Sequence, residues 1–163
     1  MLIIQVVGYK NSGKTTTAGK IIEYFSQKGM RVASLKHHGH GGIPLGIKET
    51  DSEKHKKEGA VIAGVEGEGL LQLSSDTWDV EQMIAIYDFL KVEVLVIEGF
   101  KKYAFPKVVI VNREEDLVLL DQLNDIKVIL TSVPLERIEV PYPIYYFSQI
   151  EALCECFTKS RFS

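Results

Sequence analysis

The sequence predicts an α/β fold with a mostly parallel sheet flanked by helices and an inserted β-hairpin. Three observations predict it. The short apolar run "LIIQVV" leads through a glycine-bounded loop into an amphipathic helical stripe. Further apolar runs of strand length alternate with helical patterns, as expected when strands pair in parallel. Two more runs, "AVIAGV" and "LLQLSS", flank "EGEG", which is a hairpin pattern. The 163 residues are about one ordinary domain and can bury one substantial core. A single domain over 1–163 is expected, with the insertion at about 37–75.

"LIIQVV" is bounded by Gly8 and reads as a strand buried on both faces. Ala18, Ile21, Ile22 and Phe25 then fall at helical spacing, and Gly29 is placed to end that helix. "RVASLK" is the next strand and completes a βαβ unit, whose crossover is expected to be right-handed. From His37 to Lys48, "HHGHGGIPLGIK" holds four glycines, three histidines and a proline with no period that buries a face, so it reads as a mobile loop. Thr50 and Glu53 have capping-box spacing, and "DSEKHKKEG" is a short exposed helix ending at Gly59. After the hairpin, Val80, Met83, Ile84, Tyr87 and Leu90 form a second apolar stripe. Strands follow at "VEVLVIEGF", "KVVIVN", "KVILTS" and "IYYF", and "SQIEALCECFTK" is a closing helix.

Composition narrows the class. A net charge of −3 with 25% charged and 45% hydrophobic residues gives no bulk electrostatic reason to expect a nucleic-acid or anionic-membrane partner. Cys154 and Cys156 are one residue apart, which suits neither a disulfide framework nor a complete zinc site; they read as core and surface of one amphipathic element. No apolar run approaches the roughly 20 residues of a membrane span. The opening "MLIIQVV" lacks a charged segment and runs straight into a glycine loop. The expectation is a soluble cytoplasmic protein in a reducing compartment.

The chemistry begins with "VVGYKNSGKTTTAGK". Gly8, Gly13, Lys14 and Thr15 satisfy G-x-x-x-x-G-K-[ST] between a predicted strand and a predicted helix, the context of a phosphate-binding loop. Glycines let the backbone curl so that successive amides face phosphate oxygens, and the helix N-terminus adds partial positive charge there. Gly8, Tyr9, Lys10, Asn11, Ser12, Gly13, Lys14, Thr15 and Thr16 are therefore the expected nucleotide-binding residues of a P-loop NTPase-like fold. Lys14 is placed to reach the β- and γ-phosphates as the catalytic cation, and the Thr15 hydroxyl to coordinate magnesium. The competing reading is a glycine turn beside a solvated lysine.

Magnesium prefers oxygen ligands, so an acidic residue near the loop is expected. Glu98 ends the apolar run "VLVIE", at the carboxyl strand edge where α/β sheets bind ligands; its other reading is a cap on the turn at Gly99. Asp51 is a second metal candidate if the glycine-rich loop folds over the nucleotide, or else a helix cap beside Thr50. Lys36, His37, His38 and His40 also end a strand; a solvated or phosphate-facing cluster is favoured over a transition-metal site, because His55 is the one further partner and lacks a fixed spacing. Arginines that would surround a transferred phosphoryl group are scarce: Arg31, Arg113, Arg137 and Arg161 form no cluster. The guanine-reading string Asn-Lys-x-Asp is replaced by "NREED", Asn112 to Asp116, one residue too long. Base identity does not follow from these motifs.

Taken in order, "VGYKNSGKTT", "LKHHGHG", "DSEKHKKEGA", "VLVIEGFKK" and "PKVVIV" resemble the MobB family of molybdopterin-guanine dinucleotide biosynthesis proteins, over roughly Leu2 to Val111. The resemblance implies a GTP-binding, GTPase-like adaptor of the P-loop class that is expected to form a homodimer. It also implies a partner: the MobA-type guanylyltransferase that joins GMP to molybdopterin, with molybdopterin itself a further candidate ligand. Gly8 to Thr16 would hold the triphosphate, and Glu98 is carried over from the family's "EGF" segment. Asp51, Ser52, His55, Gly59 and Ala60 match its "DS…H…GA" segment. The chain departs from the family at "GGIPLGIKET", where an acidic residue and a Pro-Gly-Lys turn are usual.

Fast hydrolysis needs an oriented water and added positive charge on the γ-phosphate. Gln72 falls in the hairpin and Arg31 at the wrong strand end, so slow turnover is expected from the isolated protein. A small-molecule kinase and a metal-delivery GTPase using His37, His38 and His40 are the alternatives.

Overall fold

The computed structural model describes residues 1–37, 51–134 and 139–159. They fall into two compact units, Met1–His37 with Tyr87–Ser163, and His38–Ile86. Of the glycine-rich segment read at 37–48, only His37 is among the described residues; Thr50 also lies outside them.

The larger unit is a six-stranded sheet. Its strands are β1 Leu2–Val7, β2 Val32–Lys36, β5 Val94–Glu98, β6 Lys107–Val111, β7 Ile126–Thr131 and β8 Ile144–Tyr146. Their spatial order is β2-β5-β1-β6-β7-β8, and every pairing is parallel. Because side chains alternate between faces, the central strands β1, β6 and β7 each feed two cores. On one face Ile4, Val6, Val96, Val108, Ile110, Val128 and Leu130 pack with Ala18, Ile21 and Phe25 of α1 Lys14–Gln27 and with Leu153, Cys154 and Phe157 of α5 Ile150–Lys159. On the other, Val7, Val109, Val111 and Ile129 pack with Leu119 of α4 Val118–Gln122 and with Leu123. Each fully buried branched side chain contributes roughly 1.5–3 kcal/mol, so the two clusters hold the sheet between its helices.

The order differs from a simple βαβ pair: β5 lies between β1 and β2. Its residues Val94 to Ile97 are all buried, which only an interior position allows. Helix α1 ends where predicted, with Gly29 at φ 77° and its amide donating to the Ser26 carbonyl. The second stripe is α3 Val80–Phe89. Val80 is buried, but Leu90 falls outside the helix and is exposed, because the chain turns at once through Lys91 at φ 58°. Helix α4 was not read in the sequence. It is five residues long and follows a 3₁₀ turn over Glu114–Leu117, too short to show a period.

The smaller unit carries α2 Asp51–Lys57, β3 Ile62–Gly67 and β4 Leu70–Ser75. The hairpin is antiparallel and separate from the large sheet. Its two-residue turn is Glu68-Gly69, with φ of 51° and 82°, so both positions take the left-handed conformation favoured in tight hairpins. Gly59 follows α2 at φ 110°.

Candidate functional site

Strand β1 ends at Val7 and α1 begins at Lys14, so residues 8–13 form the connecting loop. Gly13 caps α1 at φ 93°, a conformation that disfavours a side chain. A Cβ on Gly8 would stand 2.5 Å from Ser12 Oγ and 3.2 Å from Ile110 Cβ, so a side chain there would force Ser12 to shift and crowd β6. Ser12 is buried in that turn, while Tyr9, Lys10 and Asn11 are exposed on its crest. Lys14, Thr15 and Thr16 form the first turn of α1, where backbone amides have no partner within the helix. Anions are favoured at such a terminus.

The sheet order brings Glu98 to this loop. Val6 is in register with Glu98 on one side of β5, and Lys36 is in register with Glu98 on the other. The Thr15 hydroxyl lies 3.0 Å from each Glu98 carboxylate oxygen. The Lys36 ammonium lies 3.1 Å from Glu98 Oε1 and 3.2 Å from Thr15 Oγ1. A hydroxyl and a carboxylate converging beside a helix N-terminus are the hard oxygen donors magnesium takes, so these residues fit that ion. The Lys14 ammonium is folded back onto the Tyr9 carbonyl at 2.6 Å. Burial holds its pKa below the usual lysine value; Glu98 opposes that shift, and the nearby Lys101 and Lys36 add to it. Lys101 lies 4.9 Å from the centre of the Tyr9 ring. Lysines 14, 36 and 101 thus surround the loop with positive charge.

Asp51 is the first residue of α2, in the smaller unit, and pairs with Lys54 at 2.7 Å. Of the three histidines, His37 packs its ring 4.8 Å from that of Phe100, while His38 and His40 lie outside the described residues. Among the described residues, no three His, Cys, Asp or Glu side chains cluster as a metal site.

Two supporting residues, Gln5 and Lys107, belong to no motif in the sequence, and a third, Asn112, belongs to a string that reads only as a failed guanine motif. Buried Gln5, on β1, donates from Nε2 to the carbonyls of Gly99 at 2.7 Å and Phe100 at 2.8 Å, fixing the turn that follows Glu98. A lone glutamine in an apolar run was the available signal. Buried Lys107 donates to the Tyr103 and Phe105 carbonyls and fastens the 100–107 segment. Asn112, at the carboxyl end of β6, donates from Nδ2 to the Ser12 carbonyl at 3.0 Å and accepts from the Ser132 hydroxyl at 3.1 Å. Its string "NREED" fails as a guanine motif, but its first residue is bonded to the glycine loop all the same. Asp116, four residues on, accepts from the Asn112 amide at 3.0 Å.

Comparison with known proteins settles the family. The family model described as "Molybdopterin guanine dinucleotide synthesis protein B", MobB, matches residues 3–132. The chain belongs to the MobB family. That membership places it in molybdopterin guanine dinucleotide synthesis, the process the family description names. A Bacillus subtilis (strain 168) protein named probable molybdopterin-guanine dinucleotide biosynthesis adapter protein is 47% identical over 129 residues, covering 78% of this chain and 75% of that one. The X-ray structure of a MobB protein homolog from Bacillus stearothermophilus superposes with a TM-score of 0.75 at 32% identity, covering 100% of both chains. The crystal structure of Bacillus subtilis MobB gives 0.75 at 37% identity, covering 96% of this chain and 98% of that one. The P-loop-like architecture is therefore the MobB architecture. No helix among the described residues is long and apolar enough to cross a membrane.

Proposed function

We propose that the chain is a GTP-binding adaptor acting in the cytoplasm with a MobA-type guanylyltransferase, in the conversion of molybdopterin to its guanine dinucleotide. The observation that carries the nucleotide reading is the approach of Thr15 and Glu98 at the mouth of the glycine loop, with Lys14 one residue away. Lys14 holds the β- and γ-phosphates once it leaves the Tyr9 carbonyl, and the loop amides hold the remaining phosphate oxygens. Thr15 and Glu98 hold magnesium, which when bound neutralises charge on the triphosphate. Family membership supports the adaptor role, and the B. subtilis relative carries that role in its name.

Turnover by the isolated protein is slow on this reading. The amide of Gln5 is committed to two backbone carbonyls, and Arg31 bonds the carbonyls of Leu90 and Lys91 at the amino edge of the sheet. A homodimer is part of the proposal, supported by apolar side chains exposed along the hairpin.

Calorimetric titration with GTP and, separately, ATP, each with magnesium, tests the reading. Magnesium-dependent binding that prefers GTP, is lost in Lys14→Ala and is followed by co-purification with the guanylyltransferase is the expected result. An ATP preference would move the assignment to a kinase. Steady-state GTP turnover above about one per second would overturn the slow-turnover part.

A further inference from the structure

Lys36 lies on the two oxygen donors assigned above to magnesium. Its ammonium touches Glu98 Oε1 and Thr15 Oγ1 together, at 3.1 and 3.2 Å. The Thr15 hydroxyl, itself 3.0 Å from both Glu98 oxygens, gives its proton to the carboxylate and its lone pair to the lysine. The oxygens a metal would take are therefore already engaged by a cation.

We propose that Lys36 is an exchangeable counter-ion of this site: it occupies Thr15 and Glu98 in the nucleotide-free protein, keeps bare metal off them, and passes to phosphate oxygens when metal and nucleotide arrive together. The inference rests on the metal role given to Thr15 and Glu98 in the proposed function. Side-chain exposure identifies the moving part. Glu98 is 12% exposed and held at the end of an interior strand, whereas Lys36 is 58% exposed. Lysine carries its charge as a compact point on a flexible four-carbon stem, so it can change partners without moving β2. Charge count gives the direction. A divalent cation arriving alone meets Lys14, Lys36 and Lys101 around one carboxylate. The same cation arriving with a triphosphate brings the negative charge that accepts a displaced lysine.

The exchange makes metal and nucleotide binding depend on each other, and the coupling is measurable. Manganese, a spectroscopic stand-in for magnesium, is titrated onto the nucleotide-free protein, with free ion counted by electron paramagnetic resonance. Lys36→Met is expected to bind manganese about fivefold more tightly than wild type, the upper worth of a partly exposed ion pair. Adding Glu98→Gln is expected to remove that gain. Lys101→Met, which removes a charge of the same sign beside Tyr9, is expected to gain less. With GTP present, the factor by which nucleotide tightens manganese is expected to shrink in Lys36→Met. Equal manganese affinity in wild type and Lys36→Met overturns the proposal, as does a gain that survives Glu98→Gln or is matched by Lys101→Met. Circular dichroism checks folding, and Lys36→Gln serves as a second variant. The nucleotide-free arm needs no GTP binding: failure of GTP to bind wild type sinks the proposed function, while a flat manganese result beside good GTP binding sinks only the role of Lys36.

Discussion

The Thr15 hydroxyl stands 3.0 Å from both oxygens of Glu98, although 83 residues separate the two in sequence. The contact follows from one feature of topology, the entry of β5 between β1 and β2. Removing one carboxylate oxygen as a charged ligand while keeping its shape tests what the contact is for. Glu98→Gln is expected to weaken magnesium-dependent GTP binding by at least about tenfold, the scale of losses at metal-site residues. Binding measured without magnesium should change little. A variant that loses both equally would mark Glu98 as a brace for the loop.

Lys14 makes a pH prediction. Burial holds its pKa below the ordinary lysine value, Glu98 pulls the other way, and Lys101 and Lys36 push it further down. Triphosphate favours the protonated amine, so GTP affinity is at full strength while Lys14 is charged. It falls by up to about tenfold per pH unit once pH rises through the lowered pKa. In the nucleotide-free protein the sign is reversed. The folded state binds fewer protons than the unfolded chain between the lowered and the ordinary pKa, so this group's contribution to stability rises across that window. Calorimetry over an alkaline series, with Lys14→Met as the flat reference, reads the first effect.

Asn112 ties the glycine loop to the neighbouring strands through the Ser12 carbonyl and the Ser132 hydroxyl. One neutral hydrogen bond is worth about 1 kcal/mol net, so Asn112→Ala is expected to weaken nucleotide binding by about fivefold. Asn112→Asp sets a carboxylate against the Ser12 carbonyl and should lose more. A brace for the loop predicts equal losses for GTP and ATP. A loss confined to GTP would instead mean that Asn112 reads the base.

Much of this was legible in the chain. "LIIQVV", "GYKNSGKTT" and the stripe through Phe25 specify strand, loop and helix locally, because register, glycine conformations and the apolar face are all set within 25 residues. The hairpin was equally local. Strand order was not, since a parallel partner is chosen by long-range packing and leaves no mark at the strand itself. The contact of Lys36 with Glu98 and that of Asn112 with Ser12 depend on that order, so Lys36 was read only as part of a strand end and Asn112 only as a failed motif. Gln5 and Lys107 were hidden for the opposite reason: each is a polar residue in an apolar strand whose partners are backbone carbonyls, which any sequence supplies.

Cys154 is a buried free thiol. Burial pushes its pKa up to about 12, with Glu151 adding to the rise and Lys28 opposing it. The attacking species in alkylation is the thiolate, of which a thiol so shifted holds roughly one part in ten thousand near pH 8. Iodoacetamide on the native protein should leave Cys154 unmodified by mass spectrometry and label it only after denaturation. The unfolded chain ionises this thiol first, so its contribution to stability is lost as pH rises past the ordinary thiol range towards 12. Labelling of Cys154 in the native protein at the rate of a free thiol would show that α5 opens.

The hairpin makes the prediction about assembly. Its register pairs Ile62 with Ser75, Gly64 with Leu73 and Glu66 with Leu71, so Ile62, Leu71 and Leu73 project from one face. They are 48%, 61% and 40% exposed. A two-stranded ribbon bearing such a face is marginal alone in water, and a second copy pairing with it in two-fold symmetry would bury the same residues twice. Burying the part of each side chain still exposed, about half, is worth roughly 1 kcal/mol, so several such contacts made twice over can decide association. Leu71→Glu and Leu73→Glu are expected to convert a dimer into monomers by light scattering, with circular dichroism unchanged because both side chains are already solvent-exposed in the single chain. Wild-type protein that is monomeric at the same concentration would remove the dimer from the proposed function. A dimer that survives both substitutions would move the interface off this face.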